Sequence, residues 1–318
     1  MKKIFYYAFL LILIFSFPEK GFTWGSATHA YIAKELGKEI ADPQMLNGAA
    51  APDFFYDTGS IGNDYLSNQT HRSITNLKKK ARKMDMATFA FGFISHNEKW
   101  GADYTAHKNG RTTRKGYVIT KSSLLEPKLL FHLQAALDDA DVPFSFFLAR
   151  TLASNLAHKL TEIAIDLQIR LHEDTSIGLD FLNSVQNAPD TIPDLLANTY
   201  GYGLSKRLKI TREDANHMIA EAELHFRQLM VRYGELLNQQ DSTDFHTLSE
   251  EGAALLNEAL KNMTGKDVVI QPAVMHELMN LAMQNVEADY AQEISATISY
   301  LKKRKEISSF LKTILRNK

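Results

Sequence analysis

The chain has 318 residues, 45% of them apolar, and 36 Lys+Arg against 37 Asp+Glu leave a net charge of −1. That balance excludes attachment to nucleic acid by bulk charge, and the apolar content suffices for a substantial core, which excludes intrinsic disorder. Cysteine is absent while eleven histidines are present, so disulfides are excluded and any zinc must be held by nitrogen and oxygen ligands.

Residues 1–23 have the layout of a secretion signal: Lys2 and Lys3, apolar Ile4 to Phe17, then Pro18 to Thr23 leading to a cut before Trp24. The apolar stretch is shorter than the roughly 20 residues a spanning helix needs, which favours cleavage over an uncleaved anchor. Cleavage would remove three lysines and one glutamate, taking the net charge from −1 to −3. A secreted or periplasmic location is expected, with Trp24 as the first residue.

Apolar periodicity predicts a helix over Ser26 to Ile40, with Ser26 or Thr28 as its cap. Pro43, Gly48, Pro52, Gly59 and Gly62 predict a long irregular connection over 41–70 that contains Asp53. A helix is expected to open near His71 and carry Lys78, Lys79, Lys80, Arg82 and Lys83 as a solvated face. Thr88 to about His107 reads as a helix apart from Gly101, and 108–121 as a polar loop with a short hairpin around Gly116. Helices follow at Ser123–Ala140 and Pro143–His172, and Pro189, Pro193, Gly201 and Gly203 break the segment 176–210. Thr211–Asn238, Thr247–Met263 and Pro272–Leu315 close the chain as helices. There is no repeat, low-complexity tract or clean linker. The expectation is an all-α protein: a catalytic domain over 24–200 and a helical extension over 201–318 packed on the same domain, with a separate C-terminal subdomain as the alternative.

Several ionisable residues have spacings that suit metal binding. At 100° per residue, Asp103 falls about 20° to one side of His96 and His107 about 20° to the other, if the helix is continuous. An acid in the middle of such a stripe can bridge ions on either side. His158 and Glu162, at i and i+4, face one way and can clamp one ion, with Asp166 either a partner orienting His158, which is preferred, or a surface acid. Asp53 lies in a Gly-Ala-Ala-Ala-Pro-Asp phrase and His71 in a His-Arg pair. Freed as an N-terminus, Trp24 would offer its amine and carbonyl as a chelating pair, with His29 five residues on. Taken singly, each is also a hydrogen-bonded core or turn residue; the ordered set has no structural reason to accumulate.

That set resembles the zinc-dependent phospholipase C family and, more distantly, the three-zinc nucleases of the same fold, over Trp24 to Asp166. The resemblance implies a multi-helix bundle and up to three zinc ions: one on Trp24 and His29, one on Asp53, His71 and His96, and one on His107, His158 and Glu162. It implies Asp103 as the bridging acid and Asp53 as ligand and general base, with a zinc-bridging hydroxide attacking phosphorus. The interval H-x6-D from His96 to Asp103 departs from the family's H-x3-D. The expected activity is hydrolysis of a phosphodiester, most directly a phospholipid. The alternatives are a nuclease or 3′-nucleotidase acting on nucleic acid, and a non-catalytic helical zinc-binding module. Phe54, Phe55, Tyr56, Tyr65 and Tyr104 either line a cleft or pack. The basic end, Lys302 to Lys305 with Lys312 and Arg316, either makes transient contact with a membrane surface or belongs to a helix packing its apolar side inward; the second is preferred.

Overall fold

Apolar residues recur every three to four positions along most of the chain, and there the backbone is helical, because only that period gathers them on one face. The computed structural model describes residues 24–40, 42–57, 59–238 and 246–316; the expected secretion signal lies outside them. Chain order runs α1 (Ser26–Leu36), α2 (Gln44–Ala50), a 3-10 segment (Ala51–Asp57), α3 (Gly59–Arg72), α4 (Thr75–Lys83), α5 (Ala87–His96), α6 (Ala102–His107), α7 (Tyr117–Asp139) and α8 (Ser145–Gln168), which ends in a π turn (Ile169–Glu173). Then come α9 (Ile177–Gln186), α10 (Ile192–Leu208), α11 (Arg212–Asn238), α12 (His246–Thr264), α13 (Pro272–Glu287), α14 (Tyr290–Lys302) and α15 (Lys305–Arg316). No strand occurs among the described residues, and no helix among them is long and apolar enough to cross a membrane. The protein is all-α.

Helix α8 packs on α7 and α13, α11 packs on α9, α10 and the 3-10 segment, and α2 packs tightly on α5. One apolar cluster runs from Trp24 to Ile314, so the helices after residue 201 share the core of those before it. On α15, Ile307, Phe310 and Ile314 are buried, which is the inward-packed arrangement. The basic run on α4 is only partly a solvated face. Leu77 and Ala81 are buried, Lys78 and Arg82 lie over the Phe310 ring at 4.3 and 5.2 Å, and Lys80 donates to the Asn198 carbonyl.

Several expected boundaries are corrected. The segment 41–70 is mostly helical, because glycines that read as turn formers serve close packing instead. A Cβ on Gly48 would overlap the Phe89 carbonyl, and one on Gly92 would overlap the Met45 carbonyl, so α2 and α5 touch backbone to backbone. His71 ends α3 rather than opening a helix. Thr88–His107 is two helices, broken at 97–101, where Asn97 (φ −2°, ψ 127°) and Gly101 (φ −84°, ψ −161°) leave helical geometry. The single-stripe geometry for His96, Asp103 and His107 therefore does not hold. Around Gly116 there is no hairpin: Gly110 N–H donates to the Lys115 carbonyl at 2.9 Å, and α7 starts at Tyr117 rather than Ser123. Within 176–210 the helix is interrupted only between Gln186 and Ile192; Gly201 and Gly203 lie inside α10, where Gly203 makes room for the Tyr65 hydroxyl. Pro272–Leu315 is three helices, interrupted first beside Asp289, whose carboxylate takes the Tyr117 hydroxyl at 2.6 Å and Lys121 at 2.7 Å.

Gly92→Ala is expected to lower stability in urea unfolding by about 1–3 kcal/mol, since backbone must shift to admit the methyl group. By contrast, a Cβ on Gly252 of α12 meets nothing nearer than Met275 at 3.5 Å, so Gly252→Ala should raise stability by up to about 1 kcal/mol through helix propensity.

Candidate metal centre

Helix α1 begins at Gly25, which has no side chain to cap it. The cap comes from α8: the Asp166 carboxylate accepts the backbone N–H of Ala27 at 3.1 Å and of Thr28 at 2.7 Å, together with the Thr28 hydroxyl and the Tyr233 hydroxyl at 2.5 Å. A buried anion at a helix N-terminus satisfies donors that would otherwise be bare. Burial pushes Asp166 up to about 6, against the pull of those hydrogen bonds. Asp166 thus holds the helix that carries His29, which corrects the expectation that it orients His158. A Cβ on Gly25 would sit on this carboxylate, so the approach requires glycine.

Trp24 is buried just before this cap. Its indole N–H lies 2.8 Å from the Ala102 carbonyl and 3.1 Å from the Thr105 hydroxyl, and its ring stacks on Tyr117 at 5.5 Å. It therefore ties α1 to α6, the helix carrying Asp103 and His107. In the unprocessed chain its nitrogen is a peptide amide to Thr23, outside the described residues, so the chelating amine exists only after cleavage.

His29 is buried and neither ring nitrogen has a hydrogen-bond partner. Its ring stacks almost parallel on His96, centroids 3.9 Å apart. Burial, then the neighbouring His96, His107 and His71, hold its pKa well below the usual value, so it is neutral at pH 7 with a lone pair to give. His96 ends α5 with Nδ1 2.9 Å from the Ala49 carbonyl. That acceptor puts the proton on Nδ1 and leaves the Nε2 lone pair facing the cluster, the arrangement found in metal-ligating imidazoles. The Ala49 carbonyl is close enough because Gly48 and Gly92 let α2 approach α5. Burial lowers the His96 pKa, against the pull of Asp53.

His71 is built the same way. Its Nδ1 lies 3.1 Å from the Ser67 carbonyl and 2.8 Å from the Thr70 hydroxyl, leaving Nε2 at 3.3 Å from Asp53 Oδ1 without hydrogen-bond alignment. Burial opposes protonation of His71, but Asp53 outweighs it and raises the pKa; reciprocally, His71 lowers Asp53 against its own burial.

On α6, Asp103 Oδ1 is 2.9 Å from His107 Nδ1, again without hydrogen-bond alignment. His107 Nε2 is 3.2 Å from His158 Nε2, which is 3.0 Å from Glu162 Oε1. Lys159 donates to the other Glu162 oxygen at 2.8 Å, and Lys159 with His158 lowers the Glu162 pKa despite burial. Burial brings His158 down to about 4.

The structure thus brings together eight of the nine expected ligands in three groups, the first two sharing His96: His29, His96 and Asp103; Asp53, His71 and His96; His107, His158 and Glu162. Within each group the ligand atoms lie within 4.8 Å of one another. His96 belongs to two groups, while Asp103 belongs to the first and touches His107 of the third. The break at 97–101 folds α6 back beside α5, so the longer interval from His96 to Asp103 still brings them together.

Glu98 contributes from outside these groups and was not singled out in the sequence. It pairs with Arg72 at 2.6 Å and Lys108 at 2.5 Å, and its N–H donates to the His71 carbonyl at 2.9 Å, so it links the ends of α3 and α6. These cations, outweighing burial, bring it down to about 2. A signal was present: Arg72, Lys108 and Lys159 each directly follow a candidate ligand histidine, and each pairs with a carboxylate here. Among the five aromatics, Phe55 lies edge-on to His71 at 5.8 Å, Phe54 packs near Tyr200, and Tyr104 near Tyr300, so these three pack. Tyr65 packs against Gly203, and the side chain of Tyr56 lies outside the described residues.

No family model matches the chain, and no curated protein or solved structure matches it either.

Asp166→Ala strips a buried carboxylate from two N–H groups and two hydroxyls, so a loss of about 3 kcal/mol or more is expected in urea unfolding, together with loss of metal uptake at the His29 position in a metal titration. Acid should weaken the metal-free protein. His29, His96 and His158 are neutral in the fold but protonate near pH 6.5 when unfolded. The unfolded state therefore binds more protons below that pH, and stability complete above about pH 6.5 is lost as pH falls towards 4. Asp166, raised to about 6, and His71, raised above its usual value, work oppositely, while the lowered Asp53, Glu162 and Glu98 carboxylates add to the loss as pH falls. The urea midpoint in chelator should fall between about pH 7 and 4.5; a flat profile contradicts the assignment of neutral imidazoles.

Proposed function

We propose that the protein is a zinc-dependent phosphoesterase of the phospholipase C type, acting on phospholipid. The observation that carries this reading is a set of buried ligand atoms without hydrogen-bond partners: both nitrogens of His29, Nε2 of His71 and of His96, Oδ1 of Asp103 and Oε1 of Glu162. Each bare group costs on the order of 1–3 kcal/mol. They come from α1, α3, α5, α6 and α8, and cations among them would supply the missing partners. An imidazole-rich, thiolate-free donor set suits zinc or a similar first-row ion better than magnesium or calcium.

His29 and Asp103 would hold one ion, completed by the Trp24 amine after processing; Asp53, His71 and His96 a second; His107, His158 and Glu162 a third. Ions so held lower the pKa of water and offset negative charge on a phosphoryl group. Asp103, between the groups, sets their spacing. The Asp53 carboxylate, kept ionised beside His71, accepts the proton of the attacking water. As the new bond from water oxygen to phosphorus forms, the ester P–O bond breaks, and the leaving alkoxide takes up a proton from solvent water while Asp53 returns its own to solvent. Lys159 adds a fixed positive charge beside the third group.

Metal analysis and a parallel assay test this. The zinc-loaded, processed protein should hydrolyse phosphatidylcholine faster than single-stranded DNA, and a bis-aryl phosphate should report activity free of either preference. Asp103→Asn should lose bound zinc and at least about 100-fold in kcat/KM. Full zinc content with no turnover on any of the three substrates would instead mean a structural metal module.

A further inference from the structure

The reaction as described leaves the helices after residue 201 without a part, yet they wall one side of the centre. Where α11, α12 and α13 meet α8 they line a half-open cavity of about 170 Å³. Glu162, a candidate ligand, and Gly25, next to Trp24, both line it, so it adjoins the metal centre directly. Its ionisable side chains already have partners: Lys159 pairs with Glu162, Glu251 with Arg232, and Tyr233 donates to Asp166. Apart from Gly25, Ser26 and Gly252, the rest of the wall is leucine, isoleucine and methionine, including Met230, Met275 and Met279, whose unbranched side chains adapt to an elongated guest.

A polar occupant would find few partners there, the Ser26 hydroxyl and the Glu162 carboxylate at the metal-centre end. A helix from another protein, roughly 10 Å across, is too wide for the space. An apolar cavity of roughly 150 Å³ takes up benzene, so this one holds on the order of six to eight carbons of one hydrocarbon chain, not two chains.

We propose that this cavity takes one hydrocarbon chain of the substrate, so that the C-terminal helices select an ester carrying a long alkyl or acyl group. The inference rests on the phosphoesterase reading for the head group alone. Gly252 of α12 gives the means to close the cavity: it lines the space, its Cβ position is open, and a larger residue there also favours the helix.

The test titrates the zinc-loaded full chain with alkyl phosphates from ethyl to decyl, below micelle formation, by calorimetry, alongside hydrolysis of a soluble bis-aryl phosphate. Affinity should rise roughly three- to fourfold per methylene and level off at about six to eight carbons. In Gly252→Leu, with its helical circular dichroism intact, the advantage of octyl over ethyl phosphate should drop at least about tenfold. Met275→Phe, which fills the cavity from α13, gives a second reading. A flat series in the natural chain, or a rise that neither variant reduces, overturns the proposal. A flat series alongside bis-aryl phosphate hydrolysis defeats the cavity assignment alone. A rising series with no hydrolysis of any ester defeats the phosphoesterase reading and leaves the cavity assignment standing.

Discussion

Eight ionisable side chains, nearly all shut off from water, face one another across a few ångströms with hydrogen-bonding capacity left over. Burying polar atoms without partners is unfavourable, so the surrounding fold has to force the arrangement. It does so by pinning the far side of each residue. The Ala49 carbonyl sets His96, the Ser67 carbonyl and Thr70 hydroxyl set His71, and Asp166 sets the helix of His29. Glu98, clamped by Arg72 and Lys108, holds together the ends of two helices that each contribute a histidine.

Thr70 and Asp166 among these supports are buried, and packing from the C-terminal helices reaches the same region. Tyr117 and Lys121 of α7 reach Asp289. Glu293 of α14 accepts the backbone N–H groups of Arg111 and Thr112 at 2.6 and 2.5 Å. The loop after His107 is thereby tied to the C-terminal helices. Those helices cover the flank of α8 that carries Glu162, and the cavity they leave there is apolar because none of them directs a free polar group into it.

Much of the chemistry was legible residue by residue. His158 and Glu162 sit one turn apart on a helix that does form, and the absence of cysteine left imidazole and carboxylate as the only strong donors. Other features were misread for one reason: local signals carry no information about neighbours distant in sequence. Gly48 looks like a turn former until the opposing backbone at Phe89 is known, and Asp166 looks like a partner for His158 until α1 is seen to start on it. Glu98 was passed over because its partners flank two histidines 36 positions apart.

The all-α class and the inventory of possible ligands followed from the sequence by itself, since helical periodicity and residue chemistry are properties of short segments. Which ligands meet was decided only by the tertiary structure. His96 and Asp103 come together through a turn at 97–101 that breaks the helix their spacing implied, and His29 joins them because a carboxylate 137 residues away caps its helix. Convergence of this kind depends on long-range packing and on the burial of polar groups, and neither is encoded in any local stretch of chain.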